Sequence, residues 1–325
     1  MEQSENKTPT TFNNLITLSN YFRDENLCRK YLEKFLWNGK PVCPKCAGEK
    51  IYSFPDGKRY KCANNKCYKI FTVTVGTHFE SSKIPLSKWL HAIYVFTSHK
   101  KGISSHQLAK DISVTQKTAW FLLSRIREIL REKAPVMLEG IVEVDETFVG
   151  GLEGNKHQSY KAKKKRAGKK KNGNGDDKTI VIGLVQRGGK VVNQVVNSTQ
   201  KKDLLPVIEK HIKKGSTMVT DEWKSYQSLH RHGYNHESVK HRMKEYVRDE
   251  FHTSNIDNYW SHLKRGLIGV YHHASPQHLH RYCNEFSFRY NTRKLNEVDR
   301  FDLAIKQAFG RLKYDDLINP QKPIN

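Results

Sequence analysis

The spacing of apolar residues divides the chain into a helical first part and a strand-rich second part. Residues 16–40 and 84–133 carry apolar positions three and four residues apart, which is typical of amphipathic helices. Pro135 ends the second of these blocks. Residues 41–75 lie between them and contain short β-like runs such as KIFTVTVG. We therefore expect a small β module between two helical segments.

From about residue 140 the apolar pattern becomes strand-like. GIVEVDETFVGG predicts one strand, and TIVIGLVQRGGKVVNQVVN predicts two strands joined by a hairpin at 187–190. A helix (KKDLLPVIEKHIKKG), a short strand running into a helix (STMVTDEWKSY) and a late helix (SNIDNYWSHLKRGL) follow. The order β-β-β-α-β-α with a late acidic helix is that of a ribonuclease H-like α/β domain.

The charge balance indicates a polyanionic partner. The chain has 57 Lys and Arg against 33 Asp and Glu, a formal net charge of +24. No apolar run approaches the roughly 18 residues that span a bilayer, and the polar N-terminus lacks a signal-peptide pattern. We expect a cytoplasmic, nucleoid-associated protein that binds nucleic acid and no membrane.

Four of the six cysteines are clustered in the β module, and they are Cys43, Cys46, Cys62 and Cys67. The first pair has C-x2-C spacing and the second C-x4-C spacing, with a predicted hairpin turn at 55–57 between them. Four thiolates close a tetrahedral zinc site and leave no open position for catalysis. The pattern predicts a zinc ribbon with a structural Zn²⁺ ion.

The run GISSHQLAKDISVTQKTAWFLLSRIREIL predicts a helix-turn-helix. Ser104 or Ser105 caps the first helix, and Gln116, Lys117 and Thr118 form the exposed start of the second, where a recognition helix meets base edges. The packed face of the second helix is expected to contain Ala119, Leu122, Leu123 and Ile126. A plain helical core is the alternative interpretation.

The segment KHQSYKAKKKRAGKKKNGNGDDK is dense in cations and poor in bulky apolar residues, which predicts a flexible basic loop. A solvated insertion is one interpretation, and an arm that contacts DNA phosphates is the one we prefer. The cations assigned to that arm are Lys163, Lys164, Lys165, Arg166, Lys169, Lys170 and Lys171.

Two carboxylates stand at predicted strand ends. Asp145 interrupts an apolar strand before a Gly-Gly turn, and Asp221 lies where a strand stops and a helix begins. Such carboxylates are costly to bury without a partner, and oxygen ligands suit Mg²⁺ or Mn²⁺ in a phosphoryl-transfer site. Glu146 follows Asp145 and is expected to face the other side of the strand.

The third element of this site is expected on the late helix. Asp257 and Lys264 are two helical turns apart and share one face, so the acid reaches the metal and the lysine reaches DNA phosphate. Arg265 is a further candidate for DNA contact. Asn258 is rotated by about 100° from Asp257 and needs a different helix setting.

The run from EVDETFVGG through TDEWKSY to HTSNIDNYW, LKRG, YHH and EFSFRYN resembles the DDE-type transposases of bacterial insertion sequences. It is most similar to the zinc-ribbon-bearing ISXO-type group, which is related to eukaryotic Merlin elements. The resemblance implies a ribonuclease H-like fold and metal-dependent DNA strand cleavage and strand transfer. It also implies binding to terminal inverted repeats and target DNA, with a homo-oligomer in the synaptic complex.

By position, the resemblance assigns Asp145 and Asp221 to the first two catalytic acids and Lys264 to the basic residue of the third motif. The chain departs from the DDE pattern because no Glu stands in IDNYW, so the third element is Asp257 or Asn258. A zinc-ribbon regulator or inactive derivative is one alternative function. A ribonuclease H-like nuclease without strand transfer is another.

These features predict five segments along the chain. They are an N-terminal helical segment (1–40), a zinc ribbon (41–80), a helix-turn-helix-like DNA-binding region (81–135), a ribonuclease H-like transposase domain (136–295) with a basic insertion (155–178), and a C-terminal helical tail (296–325).

Overall fold

The computed structural model of the chain contains two compact units. The first comprises Met1–Arg131 together with Thr292–Asn325, and the second comprises Glu132–Asn291. The structure describes residues 12–151, 157–159, 178–221, 224–226, 228–239, 247–248 and 251–319.

The elements of these residues are numbered in chain order. The α-helices are α1 (Leu15–Tyr21), α2 (Glu25–Trp37), α3 (Leu86–Ser98), α4 (Ser105–Asp111), α5 (Gln116–Ile129), α6 (Lys201–His211), α7 (Ser254–Gly266), α8 (Leu279–Asn291), α9 (Glu297–Lys306) and α10 (Tyr314–Ile318). The strands are β1 (Ile51–Ser53), β2 (Tyr60–Cys62), β3 (Ile70–Phe71), β4 (Ile141–Val149), β5 (Thr179–Gln186), β6 (Val191–Val196), β7 (Thr217–Thr220), β8 (Asn235–Ser238), β9 (Val247–Arg248) and β10 (Phe251–His252).

An aromatic core joins the two ends of the chain within the first unit. Phe12 and Phe301 are both buried, and their ring centroids lie 5.9 Å apart. Phe22, Tyr31 and Tyr94 surround them with ring centroids 5.8–6.3 Å from Phe301. Helix α9 therefore packs on α2 and α3. The segment after residue 296, which the sequence predicts as a tail, is part of this unit's core.

A mixed five-stranded sheet forms the second unit, in the order β6-β5-β4-β7-β8. Strands β4, β5 and β6 are antiparallel, whereas β7 and β8 run parallel to β4. Alternate residues of β4 and β5 face opposite sides of the sheet. Val144 and Ile182 contact the apolar side of α6, and Val181 and Val185 contact α7 and α8. The unit is therefore a mixed α/β sandwich of three layers.

The predicted strands and hairpin of this unit are present, but the region after β7 differs from the prediction. The described residues contain 3-10 turns at Lys224–Tyr226 and Leu229–His232, followed by β8. The second turn ends at Gly233, whose φ of 85° stops helical continuation. Strand β8 has the polar sequence NHES, so no apolar alternation reveals it.

Candidate functional site

Asp145 lies at the centre of β4, and not at the end of the strand as the sequence predicts. Pairing between β4 and β7 reaches only as far as Glu143 and Val219. Pairing between β4 and β5 continues to Val149. Beyond Glu143, β4 therefore remains paired with β5 but is no longer paired with β7. Asp145 lies just beyond this point.

Three carboxylates from different elements lie close enough to interact electrostatically. The pKa of Asp145 is raised to about 6, mainly by burial and also by the nearby charges of Asp221 and Asp257, although hydrogen bonds from a backbone N–H and from Trp260 oppose the rise. Asp221 directly follows β7 and is half-buried. Asp257 lies in the first turn of α7. The structure thus brings together the three acidic residues that the sequence singles out.

The carboxylate oxygens of these three acids do not form a group in which all ligand atoms lie within 4.8 Å of one another. Among the described residues, the group of cysteines is the one whose ligand atoms all lie within 4.8 Å of one another. Like charges in a partly buried site repel one another, and this repulsion is what a divalent cation removes.

Trp260 connects α7 to the sheet. Its indole Nε1–H donates a hydrogen bond of 2.9 Å to Asp145 Oδ2. Gly183 of β5 pairs with Asp145 and leaves room for the indole. A Cβ atom on Gly183 would lie 2.6 Å from Trp260 Cζ2. Neither Trp260 nor Gly183 is among the site residues that the sequence predicts.

The setting of α7 separates the two candidates for the third catalytic element. Its buried side contains Ile256, Tyr259, Trp260 and Leu263. At about 100° per residue, Asp257 and Lys264 lie beside the Trp260 edge of that face. Asn258 and Arg265 point away from it. The Thr253 hydroxyl donates to Asp257 Oδ2 over 3.4 Å. Asp257 lies near enough to Asp145 to contribute to its raised pKa, so it is the better placed of the two candidates.

Glu146 faces the other side of the sheet from Asp145, as the sequence predicts for its neighbour on a strand. The Tyr226 hydroxyl donates a hydrogen bond to Glu146 Oε1. The pKa of Glu146 is raised to about 8, mainly by burial and also by the nearby charges of Asp145 and Asp221, although the hydrogen bond from Tyr226 opposes the rise. A further acidic group, hydrogen-bonded to a buried tyrosine, therefore lies near Asp145 and Asp221.

The cysteine module is a three-stranded antiparallel sheet of β1, β2 and β3. Its β1–β2 hairpin turns at Phe54–Arg59, with Gly57 at φ 62°. Burial raises the pKa of the Cys43 thiol, but hydrogen bonds from the backbone N–H groups of residues 45 and 46 outweigh it and lower the pKa to about 7. The clustered cysteines are Cys43, Cys46, Cys62 and Cys67. Their arrangement fits a structural zinc ion.

Helices α4 and α5 pack against each other with a short turn between them, as the sequence predicts. The Ser104 side chain accepts a hydrogen bond from Gln107 N and caps α4. Thr115 caps α5 in the same way. The predicted packed face of α5 is buried, and its members are Ala119, Leu122, Leu123 and Ile126.

The predicted base-reading residues lie at the start of α5. Gln116 and Lys117 are exposed, and Thr118 is half-buried. Gln116 Nε2 donates to Ser105 Oγ at 2.9 Å, and Lys117 Nζ lies 5.3 Å from the ring centroid of Tyr314. Gln116 and Lys117 are therefore exposed at this end of the helix, and each also contacts a neighbouring segment, α4 for Gln116 and α10 for Lys117.

Comparison with known proteins supports this arrangement of modules. The model of the ISXO2-like transposase domain matches residues 137–291. The model of the transposase zinc-ribbon domain matches residues 23–69. The chain carries an ISXO2-like transposase domain preceded by a transposase zinc ribbon. This confirms the relationship that the sequence motifs predict.

Two proteins with similar sequences come from Halobacterium salinarum and Haemophilus influenzae. An uncharacterized protein in the transposable element ISH50 of Halobacterium salinarum is 27% identical over 275 residues, which cover 82% of this chain and 91% of that protein. An uncharacterized transposase-like protein of Haemophilus influenzae is 28% identical over 106 residues, or 33% of this chain and 85% of that protein.

Among solved structures, a pre-cleavage Mos1 transpososome matches 68% of this chain and 79% of that chain, with 10% identity and a TM-score of 0.22. A likeness this low supports no argument about the site. In the part of the chain that the structure describes, no helix has the length and apolar character needed to cross a bilayer.

The basic insertion lies largely outside the described residues. This applies to each of its predicted DNA-contacting cations, namely Lys163, Lys164, Lys165, Arg166, Lys169, Lys170 and Lys171.

Proposed function

We propose that this chain is a metal-dependent transposase that cleaves DNA at the ends of an insertion sequence and joins the freed 3′-hydroxyl to target DNA. The convergence of Asp145, Asp221 and Asp257 carries this proposal. The match to a transposase domain supplies the substrate class. The acidic site supplies the chemistry.

The catalytic unit is, in this proposal, a ribonuclease H-like domain. Three antiparallel strands are followed by two parallel ones, and the central strand is the first of this unit along the chain. Asp145 is on that central strand and Asp221 follows its parallel neighbour. This order supports the fold class predicted from the sequence. The boundaries 136 and 295 predicted for the domain lie within a few residues of the ends of the second unit.

The residues present fit a divalent metal ion. Asp145 is largely buried, and its two acidic neighbours make its ionised form costly without a cation. Carboxylate oxygens from Asp145, Asp221 and Asp257 would hold Mg²⁺ or Mn²⁺. Such an ion would supply activation of the attacking water or 3′-hydroxyl and stabilisation of the charge that develops at the phosphate.

Other residues of the chain orient the substrate and the acids. The Trp260 indole holds Asp145 through its hydrogen bond. Lys264 is exposed on the same flank of α7 as Asp257, where it would contact a phosphate next to the acids. Arg265 and the basic insertion would contact phosphates farther along the DNA.

Recognition of the terminal inverted repeats is assigned to the helix-turn-helix and the zinc ribbon. Gln116, Lys117 and Thr118 lie at the N-terminal end of α5, the part of a recognition helix that meets base edges. Two ends must be held together for transposition, so a homo-oligomer would form the synaptic complex. We place this reaction on the nucleoid in the cytoplasm.

The experiment is a cleavage assay on DNA that carries an element end, with Mg²⁺ or Mn²⁺. Asp145→Ala and Asp221→Ala should each abolish cleavage and leave DNA binding within a few-fold of the wild type. Glu139→Ala is the matched control, because Glu139 is an exposed carboxylate of the same unit that forms an ion pair with Lys213. Cleavage that persists in both aspartate variants would overturn the assignment.

A further inference from the structure

Part of the N-terminal capping of helix α7 comes from a strand of the sheet. Thr253 stands at the N-cap position but makes no capping hydrogen bond to the helix backbone. The first N–H groups of a helix need partners from outside the helix. Here Asn255 N and Ile256 N donate to Glu143 Oε2 at 2.9 and 3.0 Å. A side chain of strand β4 therefore caps the helix that carries Asp257.

Glu143 is completely buried, and its second oxygen is also occupied. Asn255 Nδ2 donates to Glu143 Oε1 at 2.7 Å. Arg187 Nη2 lies 3.4 Å from the same oxygen, and His252 Nδ1 lies 3.6 Å from it. A buried carboxylate is costly unless hydrogen bonds and charges surround it. The helix N-terminus, with its partial positive charge, adds to this compensation.

Glu143 and Asp145 together connect β4 to α7 at two matched positions. They are two residues apart on one face of the strand, a separation of about 7 Å. Their partners Ile256 and Trp260 are four residues apart on the helix, a rise of about 6 Å. Because the two spacings nearly agree, the helix lies along the strand in a single register. That register sets where Asp257 stands relative to Asp145.

We propose that Glu143 is a positioning residue, which fixes α7 so that Asp257 and Lys264 face Asp145. This inference rests on the proposed function, since it concerns the geometry of the metal site. Glu143 itself contacts neither the metal nor the DNA. Its effect is exerted through the helix N-terminus and is expressed as metal affinity.

The test uses the full-length, zinc-loaded chain and Mn²⁺ as the probe, followed by electron paramagnetic resonance in the absence of DNA. In Glu143→Gln an amide nitrogen replaces one acceptor oxygen and opposes the N–H donors of α7. We expect the half-saturating Mn²⁺ concentration to rise about tenfold or more, as for other residues that orient metal ligands. Cleavage should recover towards the wild-type rate as Mn²⁺ is raised, a rescue that misfolded protein would not show.

Two further variants make the result unambiguous. Glu139→Gln makes the same chemical change at an exposed site and should bind Mn²⁺ as the wild type does. Asn255→Ala removes one of the hydrogen bonds to Glu143 and keeps the backbone ones, so it should give a smaller shift in the same direction. It also carries the test if Glu143→Gln does not fold.

The outcomes separate the two proposals. If Asp145→Ala abolishes Mn²⁺ binding while Glu143→Gln and Asn255→Ala match the Glu139→Gln control, the positioning role is wrong. If Asp145→Ala itself binds Mn²⁺ like the wild type, the proposed metal site is wrong. Weakened Mn²⁺ binding in the Glu143 and Asn255 variants, with DNA binding unchanged, supports the inference.

Discussion

Asp145 is a largely buried carboxylate that is hydrogen-bonded and lies near two other acids. It lies in the middle of an apolar sheet, and one oxygen is held by the Trp260 indole. Two other carboxylates add repulsion to the cost of burial. Such a residue destabilises the metal-free fold when it is ionised, which is the expected cost of preparing a cation site.

The first prediction concerns stability against pH. The pKa of Asp145 is raised to about 6 from an ordinary 3.8. The stability contributed by its proton is therefore present at pH values below about 4 and is lost as the pH rises through about 6. Asp145→Asn, which mimics the protonated form, should be more stable than the wild type at pH 7 by about 1–3 kcal/mol.

Urea unfolding of the zinc-loaded protein without Mg²⁺ at pH 4 and pH 7 measures this difference. The advantage of Asp145→Asn should be small at pH 4 and large at pH 7. An equal effect at both values would mean that Asp145 does not titrate in this range.

The second prediction separates Asp257 from Asn258. Asp257→Ala should lower strand cleavage by on the order of 100-fold or more, because it removes a group that interacts with Asp145. Asn258→Ala should stay within about threefold of the wild type, as exposed substitutions away from a site do. Single-turnover cleavage at saturating metal measures both. The reverse ranking would show that Asn258 is the third element.

The sequence singles out Asp145 and Asp221 because a charged residue inside an apolar strand or at its end is conspicuous, and Asp257 because it shares a helix face with Lys264. Glu143 lies in the same strand, yet nothing local distinguishes it. Its hydrogen-bond partners at the start of α7 are 112 and 113 residues away in the chain. A partnership between such distant backbone groups depends on the packing of α7, which a single sequence does not specify.

At the scale of elements, strand β5 and helix α7 are in close contact at Gly183. Gly183 has no side chain, and the Trp260 indole occupies the space where a Cβ atom would lie. The helix can therefore approach the sheet closely enough for the indole to reach Asp145.

The third prediction tests this contact with Gly183→Ala. The added methyl group should displace Trp260, cost about 1–3 kcal/mol through overpacking, and reduce cleavage more than DNA binding. Gly151→Ala is the matched control, since a Cβ atom there meets nothing within 4 Å. Tryptophan fluorescence and denaturant unfolding measure the displacement and the stability. Unchanged stability in Gly183→Ala would contradict the described packing.

The fourth prediction concerns the zinc ribbon. Its core is small, consisting of Tyr60 and Phe71 beside the cysteines, so the metal should contribute most of its folding free energy. Cys62→Ser should lower the zinc content measured by atomic emission from about one ion per chain and weaken binding to element ends. The catalytic unit should remain folded by circular dichroism. Full zinc content in Cys62→Ser would exclude the proposed ligand set.

Periodicity accounts for the elements that the sequence predicts correctly. Strands β4, β5 and β6 and helix α6 each carry a clear apolar pattern. Strand β8 is polar and pairs with β7 at the edge of the sheet, so it leaves no such pattern. The packing of α9 within the first unit depends on contacts between residues far apart in the chain, such as Phe12 with Phe301.

At the scale of the whole molecule, the net charge of +24 and the family relationship both point to DNA. Binding to DNA should weaken steeply with added salt for any protein of this charge. A regulator, a nuclease and a transposase would all behave in this way. The activity must therefore be separated by the products of the reaction.

Strand transfer is the most direct test of the central claim. A labelled DNA carrying an element end is incubated with the full chain, supercoiled target DNA and Mg²⁺ or Mn²⁺. We predict a product in which the 3′-end is covalently joined to the target, absent with Asp145→Ala and present with Glu139→Ala. Cleavage without joining would indicate a nuclease, and binding without cleavage in either metal would indicate a regulator; each result would contradict the account.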